Sequence, residues 1–565
     1  MYTFFEKRIP RTERNKMKIE VIEKEAERLL SEPIQSLSFS KYKLFHETGN
    51  RLEYEGQYME RRKRLNLMAA MELWEHDKKW VEALEDVLWA ICDESTWGFP
   101  AHIKKDATPY ESATIMDLFA AETAMTLSEI CYLLEEQLHP TVYQRVIYEL
   151  RRRIIEPHLK DVYTYRSNWS AVCACGVGFA VMYHGTKEEF EQARESLLAS
   201  LSDFLDSYTE DGCCLEGPIY WSYGFSHFVF LAQLLREYTK GEINLFADEK
   251  VKNIALYVQR TVLKDDYVVP FGDTSHRYRY EYCLMNFLSR EYKEVIRPED
   301  KFLALHEYSE KRDRFARFIR DFFWTEEAFS LDLQQSGGEM SEGQASVRTH
   351  AFRDSQQYFR KFGNYVFAAK GGFNSEPHNH NDIGSFILFS DGKYLLDDLG
   401  WAEYDNLYFT ARRYENLCAS SRGHSVPIIN GEEQKPGGKI RAIASYEENQ
   451  FSLDMTLAYS VEKVRRTFRF ENDRHIILED SYEGETLQIT ERLVTRERPT
   501  ICGDDVVIGP LTIRSQGACD IQIEERTYQP RALGDLKETE TAYLIDFIYP
   551  ERKGCAKMML ELLLD

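Results

Sequence analysis

The chain has 565 residues, of which 43% are hydrophobic and 29% charged, a balance typical of a globular protein with two or three domains. Its 71 basic and 94 acidic residues leave a net charge of −23. A surface this acidic argues against nucleic acid and anionic membranes as partners. It also favours short or weakly charged ligands over a long polyanion, unless basic residues cluster where the ligand binds.

Cysteine usage and the N-terminus bear on the cellular compartment. The eleven cysteines have no repeated spacing, and neighbours such as Cys213-Cys214 are too close for an ordinary disulfide, so reduced thiols are expected. Residues 1–8 contain no apolar signal core, and the sequence has no run of eighteen apolar residues. These features predict a cytoplasmic protein, although a chain from which a leader had been removed would look the same.

Residues 1–330 are predicted to form a helical domain. Apolar residues recur every three to four positions in several segments, which include 82–91, 116–134, 143–155, 190–208 and 225–238. Turn signals such as Gly98-Phe99-Pro100 and Gly217-Pro218 separate these segments. A long array of antiparallel helices without a clean sequence repeat suggests an α/α toroid.

The second half of the chain is predicted to be β-rich. The composition changes near 330–345, where residues 334–339 resemble a linker. Short apolar runs follow at 365–369, 386–389, 439–443, 467–470 and 475–478, and Asp391-Gly392 between two such runs is a hairpin signal. The expected fold class is therefore multidomain α + β, with an N-terminal α/α toroid and a C-terminal antiparallel β-sandwich over 331–490. Residues 491–565 are expected to continue that sandwich.

Histidines and acids are concentrated in one part of the β-rich half. His378, His380 and Asp382 are spaced by two, so an extended backbone would point all three to one face. The pair Asp397-Asp398 follows the hairpin, and His424 follows a small-residue stretch. Histidine with carboxylate suits a zinc-like cation or a proton-transfer site. The alternative is a set of solvated strand-end side chains.

The hairpin places a condition on any cation site. A strict two-residue turn at Asp391-Gly392 would pair Asp398 with Ser385, well away from His380. The histidine segment must therefore curl back if Asp398 is to meet His380.

The order of these motifs resembles the heparinase II/III-like polysaccharide lyases. That family has a His-x-His-x-Asp-x-Gly segment, an apolar strand, a Gly turn, an Asp-x-Gly and a later His that opens another strand. The resemblance implies that His378 is a catalytic histidine near the scissile bond. It also implies that His380, Asp398 and His424 bind a structural zinc ion, with Asp397 as the alternative acidic ligand.

Two segments of the helical half add to the resemblance. Asn168-Trp169 matches an Asn-Trp segment whose amide neutralises a uronate carboxylate, and Trp169 would contact the substrate. The turn from Glu216 to Trp221 matches one that carries a catalytic Tyr, which would be Tyr220. Glu216 and Tyr223 would then be substrate-binding residues, with Tyr223 the neighbouring alternative for the catalytic role. Each segment taken alone has an ordinary structural explanation.

Three further residues are candidates for substrate binding. His102 follows a Pro turn and would line the mouth of the toroid, unless it serves as a helix cap. Arg277 offers a cation for an acidic sugar, with a solvated helix-joining loop as the alternative. The family often has Tyr soon after Asp-x-Gly, but Ala402 holds the nearer position here. Tyr404 is therefore the candidate there.

The implied reaction is β-elimination at a uronic acid inside the cell. An amide such as Asn168 would stabilise the charge that develops when the C5 proton leaves. Either His378 or Tyr220 could be the base, and Tyr220 fits the acid that protonates the leaving oxygen. The expected partner is a uronic-acid-containing oligosaccharide, and assembly into a homo-oligomer is left open, as are the glycan, its linkage and endo or exo action.

Three other functions compete with the lyase. A toroid-type glycoside hydrolase would need two opposed carboxylates in the helical half, where Asp117, Glu122, Glu216 and Asp273 are available. A cupin-like metalloenzyme would explain His-x-His, but the expected Glu is missing and the helical half stays unexplained. A sugar-binding protein without catalysis is the third.

Overall fold

The computed structural model describes residues 7–304, 314–325, 348–403, 408, 410–531 and 539–565. The predicted linker at 334–339 and Tyr404 lie outside these residues. The chain divides into two compact units. The helical unit comprises Met1–Ser207, Ser222–Lys252 and Arg279–Gly337, and the β unit comprises Tyr208–Trp221, Asn253–Tyr278 and Gly338–Asp565. Helices followed by antiparallel sheets confirm the predicted fold class.

The α-helices occupy most of the first 325 residues. They are α1 Glu13–Leu30, α2 Phe39–Tyr42, α3 Leu44–Thr48, α4 Leu52–Glu75, α5 Lys78–Cys92, α6 Pro109–Thr114, α7 Leu118–Leu133, α8 Pro140–Leu150, α9 Glu156–Lys160, α10 Asn168–His184, α11 Lys187–Leu205, α12 Pro218–Tyr238, α13 Glu249–Thr261, α14 Tyr282–Glu291 and α15 Phe315–Phe323. A π-helical segment, Arg151–Ile155, joins α8 to α9. Among the helices in the described part of the chain, none combines the length and apolar character needed to cross a bilayer.

Two apolar helices form the centre of the helical unit. Nearly every side chain of α7 and α10 is buried, as expected of helices that are hydrophobic on all sides. They approach closely because Gly176 has no side chain, and a Cβ there would lie 2.6 Å from the Cα of Ala121. A fully buried ion pair, Arg320 with Glu129 at 2.7 Å, fixes α15 against α7.

The strands follow in the β unit, apart from two short ones. They are β1 Val262–Lys264, β2 Tyr267–Val268, β3 Tyr280–Glu281, β4 Leu303–Ala304, β5 Arg348–Phe352, β6 Gln357–Phe362, β7 Tyr365–Lys370, β8 Phe386–Ser390, β9 Lys393–Leu396, β10 Pro427–Ile429, β11 Ile443–Glu447, β12 Gln450–Asp454, β13 Lys463–Asn472, β14 His475–Leu487, β15 Ile489–Thr495, β16 Thr500–Cys502, β17 Asp505–Ile508, β18 Leu511–Gln516, β19 Asp520–Tyr528, β20 Glu540–Ile548 and β21 Arg552–Leu564.

Three antiparallel sheets share one hydrophobic core in the β unit. Their strand orders are β5-β6-β7-β8-β9, β10-β15-β20-β19 and β11-β12-β13-β14-β21-β18-β17-β16. The core draws on all three sheets, with Phe367 and Phe386 from the first, Leu493 from the second and Phe468 and Leu562 from the third. Along β13 and β14 buried and more exposed residues alternate, which is the period-two pattern of a sheet with one face in the core.

Two segments that precede residue 330 belong to the β unit and not to the helical unit. Residues 253–278 include the β1–β2 hairpin, and the hydroxyl of Tyr394 on β9 donates to the carbonyls of Val268 and His276 at 2.7 and 2.9 Å. Lys361 on β6 donates to the carbonyl of Val262 at 2.8 Å. These long-range bonds, which have no local sequence signal, give the segment its place on the sandwich.

The predicted hairpin turn is present, but its strand pairing differs from the strict register. Ser390 pairs with Lys393, and Asp391 and Gly392 have φ values of 47° and 82°, as a two-residue turn with two left-handed residues requires. A bulge then shifts the register, so that Leu388 pairs with Leu396. β9 ends there, and Asp397 and Asp398 begin the following loop.

Candidate active site and cation site

The loop after β7 carries His378 in a strained backbone conformation. His378 has a φ of 56°, which is uncommon for a residue with a side chain. Gly272 lies beside it, and a Cβ on Gly272 would be 3.3 Å from the carbonyl oxygen of His378. The side chain of His378 keeps 20% of its surface exposed, so it can reach a ligand. Strain at an exposed histidine is typical of functional sites.

Asp273 is the centre of the candidate site. Its Oδ2 lies 2.7 Å from Nδ1 of His378, and its Oδ1 lies 3.0 Å from Nε2 of His380. Tyr408 also donates its hydroxyl to Oδ1. Burial by itself would raise the pKa of Asp273, but the hydrogen bonds from His378 and His380 outweigh it and hold that pKa below its usual range. A buried carboxylate therefore orients both histidines of the His-x-His motif.

No local motif points to this role for Asp273. From its sequence position, Asp273 is a candidate only as one of the carboxylates that a glycoside hydrolase would need. The residue precedes His378 by 105 positions, so no spacing rule connects them. A partner for the histidines could have been expected in general terms, because functional histidines are usually oriented by a second group.

Tyr220, the candidate catalytic tyrosine, lies against His378. The two rings stack with centroids 4.2 Å apart, and the Tyr220 hydroxyl is 3.4 Å from Nδ1 of His378. Tyr220 is in the first turn of α12. The turn before it depends on Gly217, which has a φ of 90° and where a Cβ would lie 2.0 Å from Oγ1 of Thr274. Glu216, which precedes this glycine, is half-buried.

His380, Asp398 and His424 form a cluster that could hold a cation. All three side chains are fully buried, and one ligand atom from each lies within 4.8 Å of the others. The histidine segment thus curls back to Asp398, the condition that the hairpin register imposed. The other acid, Asp397, is held by His276 at 3.0 Å and Arg496 at 2.5 Å, which leaves Asp398 as the acidic member of the cluster.

The hydrogen bonds of this cluster fit a metal ion. Nε2 of His380 faces Asp273, and its Nδ1 is buried without a hydrogen-bond partner among the described residues. Nε2 of His424 lies 2.8 Å from the carbonyl of Cys418, and its Nδ1 lies 3.1 Å from Oδ2 of Asp398. If each Nε2 donates to these oxygens, each Nδ1 presents a lone pair towards the cluster. Two imidazole nitrogens and a carboxylate oxygen are a donor set that zinc prefers.

Asp382 does not join the two histidines. Its Oδ1 pairs with the buried amine of Lys370 at 2.9 Å, and Lys370 also contacts Glu376 at 3.3 Å. The segment is not an extended strand, so the condition under which His378, His380 and Asp382 would share one face is not met. The Lys370 pair instead anchors the loop that carries the histidines.

Asn168 and Trp169 begin α10 in the helical unit. The residue before them, Ser167, has a φ of 54°. Gly224 in α12 makes room for the amide oxygen of Asn168, because a Cβ on Gly224 would lie only 1.9 Å from that oxygen. Trp169 packs its ring 5.1 Å from that of His102.

His102 and Tyr223 are both hydrogen-bonded to acids of the helical unit. Nδ1 of His102 is 2.7 Å from Oδ2 of Asp117, the residue that caps α7. Tyr223 donates to Glu122 at 2.7 Å, and Glu122 is ion-paired with Arg314 at 2.6 Å. Asp117 and Glu122 therefore have structural partners, which weakens them as the opposed carboxylates of a glycoside hydrolase.

Arg277 lies on the surface of the β unit. Its side chain is 56% exposed and pairs with Asp266 at 3.0 Å, with the guanidinium 4.1 Å from the ring centroid of Tyr267. This arrangement matches the solvated-loop alternative more closely than a substrate contact. Its substrate role stays a prediction, as does that of Tyr404.

Comparisons with known proteins agree with the resemblance. Residues 348–538 match the family model described as heparinase II/III-like, C-terminal. Comparison with curated proteins gives no match.

Among solved structures, a mutant of the heparan sulfate lyase HepC from Pedobacter heparinus is 13% identical, with a TM-score of 0.63 over 97% of this chain and 88% of that one. A heparinase III structure is 14% identical, with a TM-score of 0.64 over 92% and 78%. The chondroitin AC lyase of Streptomyces coelicolor A3 is 10% identical, with a TM-score of 0.61 over 98% and 80%. The predicted architecture, an α/α toroid followed by an antiparallel β-sandwich, is thereby confirmed.

Proposed function

We propose, from the chain's membership of the heparinase II/III-like family through residues 348–538, that it is a lyase that cleaves uronic-acid-containing oligosaccharides by β-elimination. The observation that carries the proposal is the stack of Tyr220 on His378, with Asp273 hydrogen-bonded to the same histidine. An acid, a base and a group that orients the base are then adjacent, which is what proton abstraction and leaving-group protonation need.

The hydrogen bonds of His378 favour it as the base. When Nδ1 donates its proton to Asp273, Nε2 carries the free lone pair that can accept the C5 proton. The buried carboxylate also stabilises the imidazolium that forms, as in other histidine–carboxylate pairs. Tyr220 is then the group that protonates the leaving C4 oxygen. In this assignment the amide of Asn168 neutralises the uronate carboxylate, the role implied by the resemblance.

We propose further that His380, Asp398 and His424 bind one zinc ion. A buried ion there would join three loops of the β unit, and its chemistry would be structural because the ligands are shielded from solvent. Asp273 bonds both His380 and His378, so order at the ion would be passed on to the candidate base. The proton transfers are assigned to His378 and Tyr220 and not to the ion.

Absorbance near 235 nm tests the function directly. Elimination creates a conjugated C4–C5 double bond, and so unsaturated product is expected from at least one of a panel of glycosaminoglycan, alginate, pectic and glucuronan oligosaccharides. New reducing ends without this absorbance would support a glycoside hydrolase instead. Binding without either product would support a sugar-binding protein, and both results would overturn the lyase.

Metal analysis of the purified protein tests the zinc site. We expect one zinc per chain, and we expect a chelator to lower both the metal content and the melting temperature. His424→Asn should abolish metal binding, whereas His475→Asn, a strand histidine outside the cluster, should leave it unchanged. The zinc site would be contradicted by less than about a tenth of an equivalent of any transition metal, together with stability that a chelator does not change. The cluster would then be explained as an imidazolium–carboxylate pair.

A further inference from the structure

Arg413 is a largely buried cation next to the candidate base. It lies in a short 3-10 helix, Ala411–Glu415, with its side chain only 13% exposed. The guanidinium is 4.8 Å from the ring centroid of Tyr408. Among the described residues its ion-pair partner is Asp273, where Nη2 is 3.6 Å from Oδ2, the oxygen that also bonds His378.

The guanidinium of Arg413 has two donors without an acceptor. Nε and Nη2 are both buried and have no hydrogen-bond partner among the described residues. These two nitrogens form one edge of the guanidinium, the edge that binds a carboxylate or sulfate with two parallel hydrogen bonds. Asp273 does not fill this role, because 3.6 Å is too long for a hydrogen bond and its oxygens already accept from His378, His380 and Tyr408.

Other arginines of the β unit are better satisfied. Arg412, the adjacent residue, is 59% exposed and makes two hydrogen bonds of 2.8 Å to Glu415. Arg466 is fully buried, but it donates to Asp480 and to the carbonyls of Gly384 and Ser425. A desolvated cation with open donors costs free energy, and a ligand that supplies an anion would recover it.

We propose that Arg413 binds an anionic oxygen of the saccharide, a carboxylate or a sulfate ester, beside His378. The assignment rests on the proposed function for the identity of the ligand as a saccharide. It also accounts for acceptance of an acidic sugar by a chain with a net charge of −23, because a local guanidinium offsets the overall repulsion. The cation for the acidic sugar is then Arg413 and not the exposed Arg277.

Turnover kinetics form the first test. Arg413→Gln should raise KM for an acidic oligosaccharide by about tenfold or more with a smaller change in kcat. Arg413→Lys should recover part of the loss, because lysine keeps the positive charge but lacks the guanidinium edge that donates two parallel hydrogen bonds. The melting temperature should change little, since no described residue accepts a hydrogen bond from Nε or Nη2 of Arg413. Arg412→Gln is the matched control and should behave as the wild type. An unchanged KM, or a lower melting temperature together with a loss confined to kcat, would assign Arg413 a structural role and overturn the proposal.

Binding measurements separate this proposal from the lyase function. In a Tyr220→Phe background, calorimetry with sulfated, unsulfated and carboxyl-reduced neutral oligosaccharides does not require turnover. Arg413→Gln should weaken binding of the acidic saccharides about tenfold or more and leave the neutral one unaffected. A loss seen only with sulfated saccharide assigns the sulfate, and a loss with the unsulfated one assigns the carboxylate. If all three saccharides bind with equal affinity, both with and without Arg413→Gln, the proposal is overturned. This holds even if the lyase assay succeeds.

Discussion

Each oxygen of Asp273 serves a different histidine. Oδ2 bonds the candidate base His378, and Oδ1 bonds the candidate ligand His380. The orientation of the base is therefore coupled to that of the cation cluster through one buried side chain. A substitution at Asp273 is therefore expected to change both turnover and metal content.

Tyr220→Phe and His378→Ala are each expected to lower kcat by about two orders of magnitude or more, because each removes a proposed proton-transfer group. Both variants should keep the melting temperature of the wild type within a few degrees. Turnover at 235 nm and thermal unfolding are the two measurements.

Tyr223→Phe is the informative contrast to Tyr220→Phe. The Tyr223 hydroxyl is bonded to Glu122, so its loss should lower stability more than turnover. Normal turnover in Tyr220→Phe with a large loss in Tyr223→Phe would show that the catalytic tyrosine lies three positions further along α12.

Asp273→Asn should lower kcat by about 10² or more and reduce metal content as well. An asparagine has one acceptor and one donor group, so it cannot accept from both histidines, and one ring must change its tautomer or turn. Because asparagine is nearly the same size as aspartate, we expect slow turnover with partial metal loss. Asp391→Asn, at the hairpin tip where asparagine tolerates a positive φ, is the control. Full activity and full metal content in Asp273→Asn would refute the coupling.

At the scale of elements, the helical unit depends on close approach of helices at glycines. α10 meets α7 at Gly176, and the start of α10 meets α12 at Gly224. The second contact determines where the Asn168 amide lies. A residue proposed for catalysis is thus positioned by the absence of a side chain on another helix.

Gly224→Ala should displace Asn168, because the new Cβ would lie 1.9 Å from its amide oxygen. We expect turnover to fall at least tenfold, with a stability loss of about 1–3 kcal/mol from overpacking. Gly56→Ala in α4 is the matched control, since its Cβ would contact nothing within 4 Å. That control should keep activity and gain up to about 1 kcal/mol. Equal behaviour of the two variants in turnover and urea unfolding would contradict the prediction.

At the scale of the whole molecule, buried histidines link stability to pH. Burial lowers the pKa of His227 to about 3 and those of His158 and His350 to about 4. The positive charges of Arg317, Arg314 and Arg320 also lower the pKa of His227. The unfolded chain takes up these protons near pH 6.5, so stability is lost as the pH falls from about 6.5 towards the folded pKa values. Glu72 and Glu237 oppose this, because burial raises the pKa of each to about 7.

The contribution of His227 can be isolated by difference. Between pH 6.5 and 5, the free energy of unfolding of the wild type should fall relative to that of His227→Gln by up to about 2 kcal/mol, since glutamine cannot take up the proton. Urea unfolding at the two pH values measures this difference. Parallel pH profiles for the two proteins would show that His227 is protonated in the folded state.

The sequence by itself determined the features that depend on neighbouring residues. The three- to four-residue periodicity identified the helical half, and the β-type runs identified the sandwich. Asp391-Gly392 predicted its turn because only a few residue types accept two left-handed positions. The His-x-His motif and the turn before Tyr220 were recognisable because each lies within about ten residues.

Only the tertiary structure decided which distant residues serve the site. Asp273 reaches His378 across 105 positions, and Arg413 comes to the same carboxylate from a different loop. The bulge at Leu388 and the bent histidine segment decided that Asp398 lies close to His380, which the strict hairpin register would not predict. These pairings arise from loop closure and burial across the whole β unit, and local spacing carries no information about them. The sequence therefore offers Arg277 as a candidate cation for an acidic sugar, and only the structure brings Arg413 beside the candidate base.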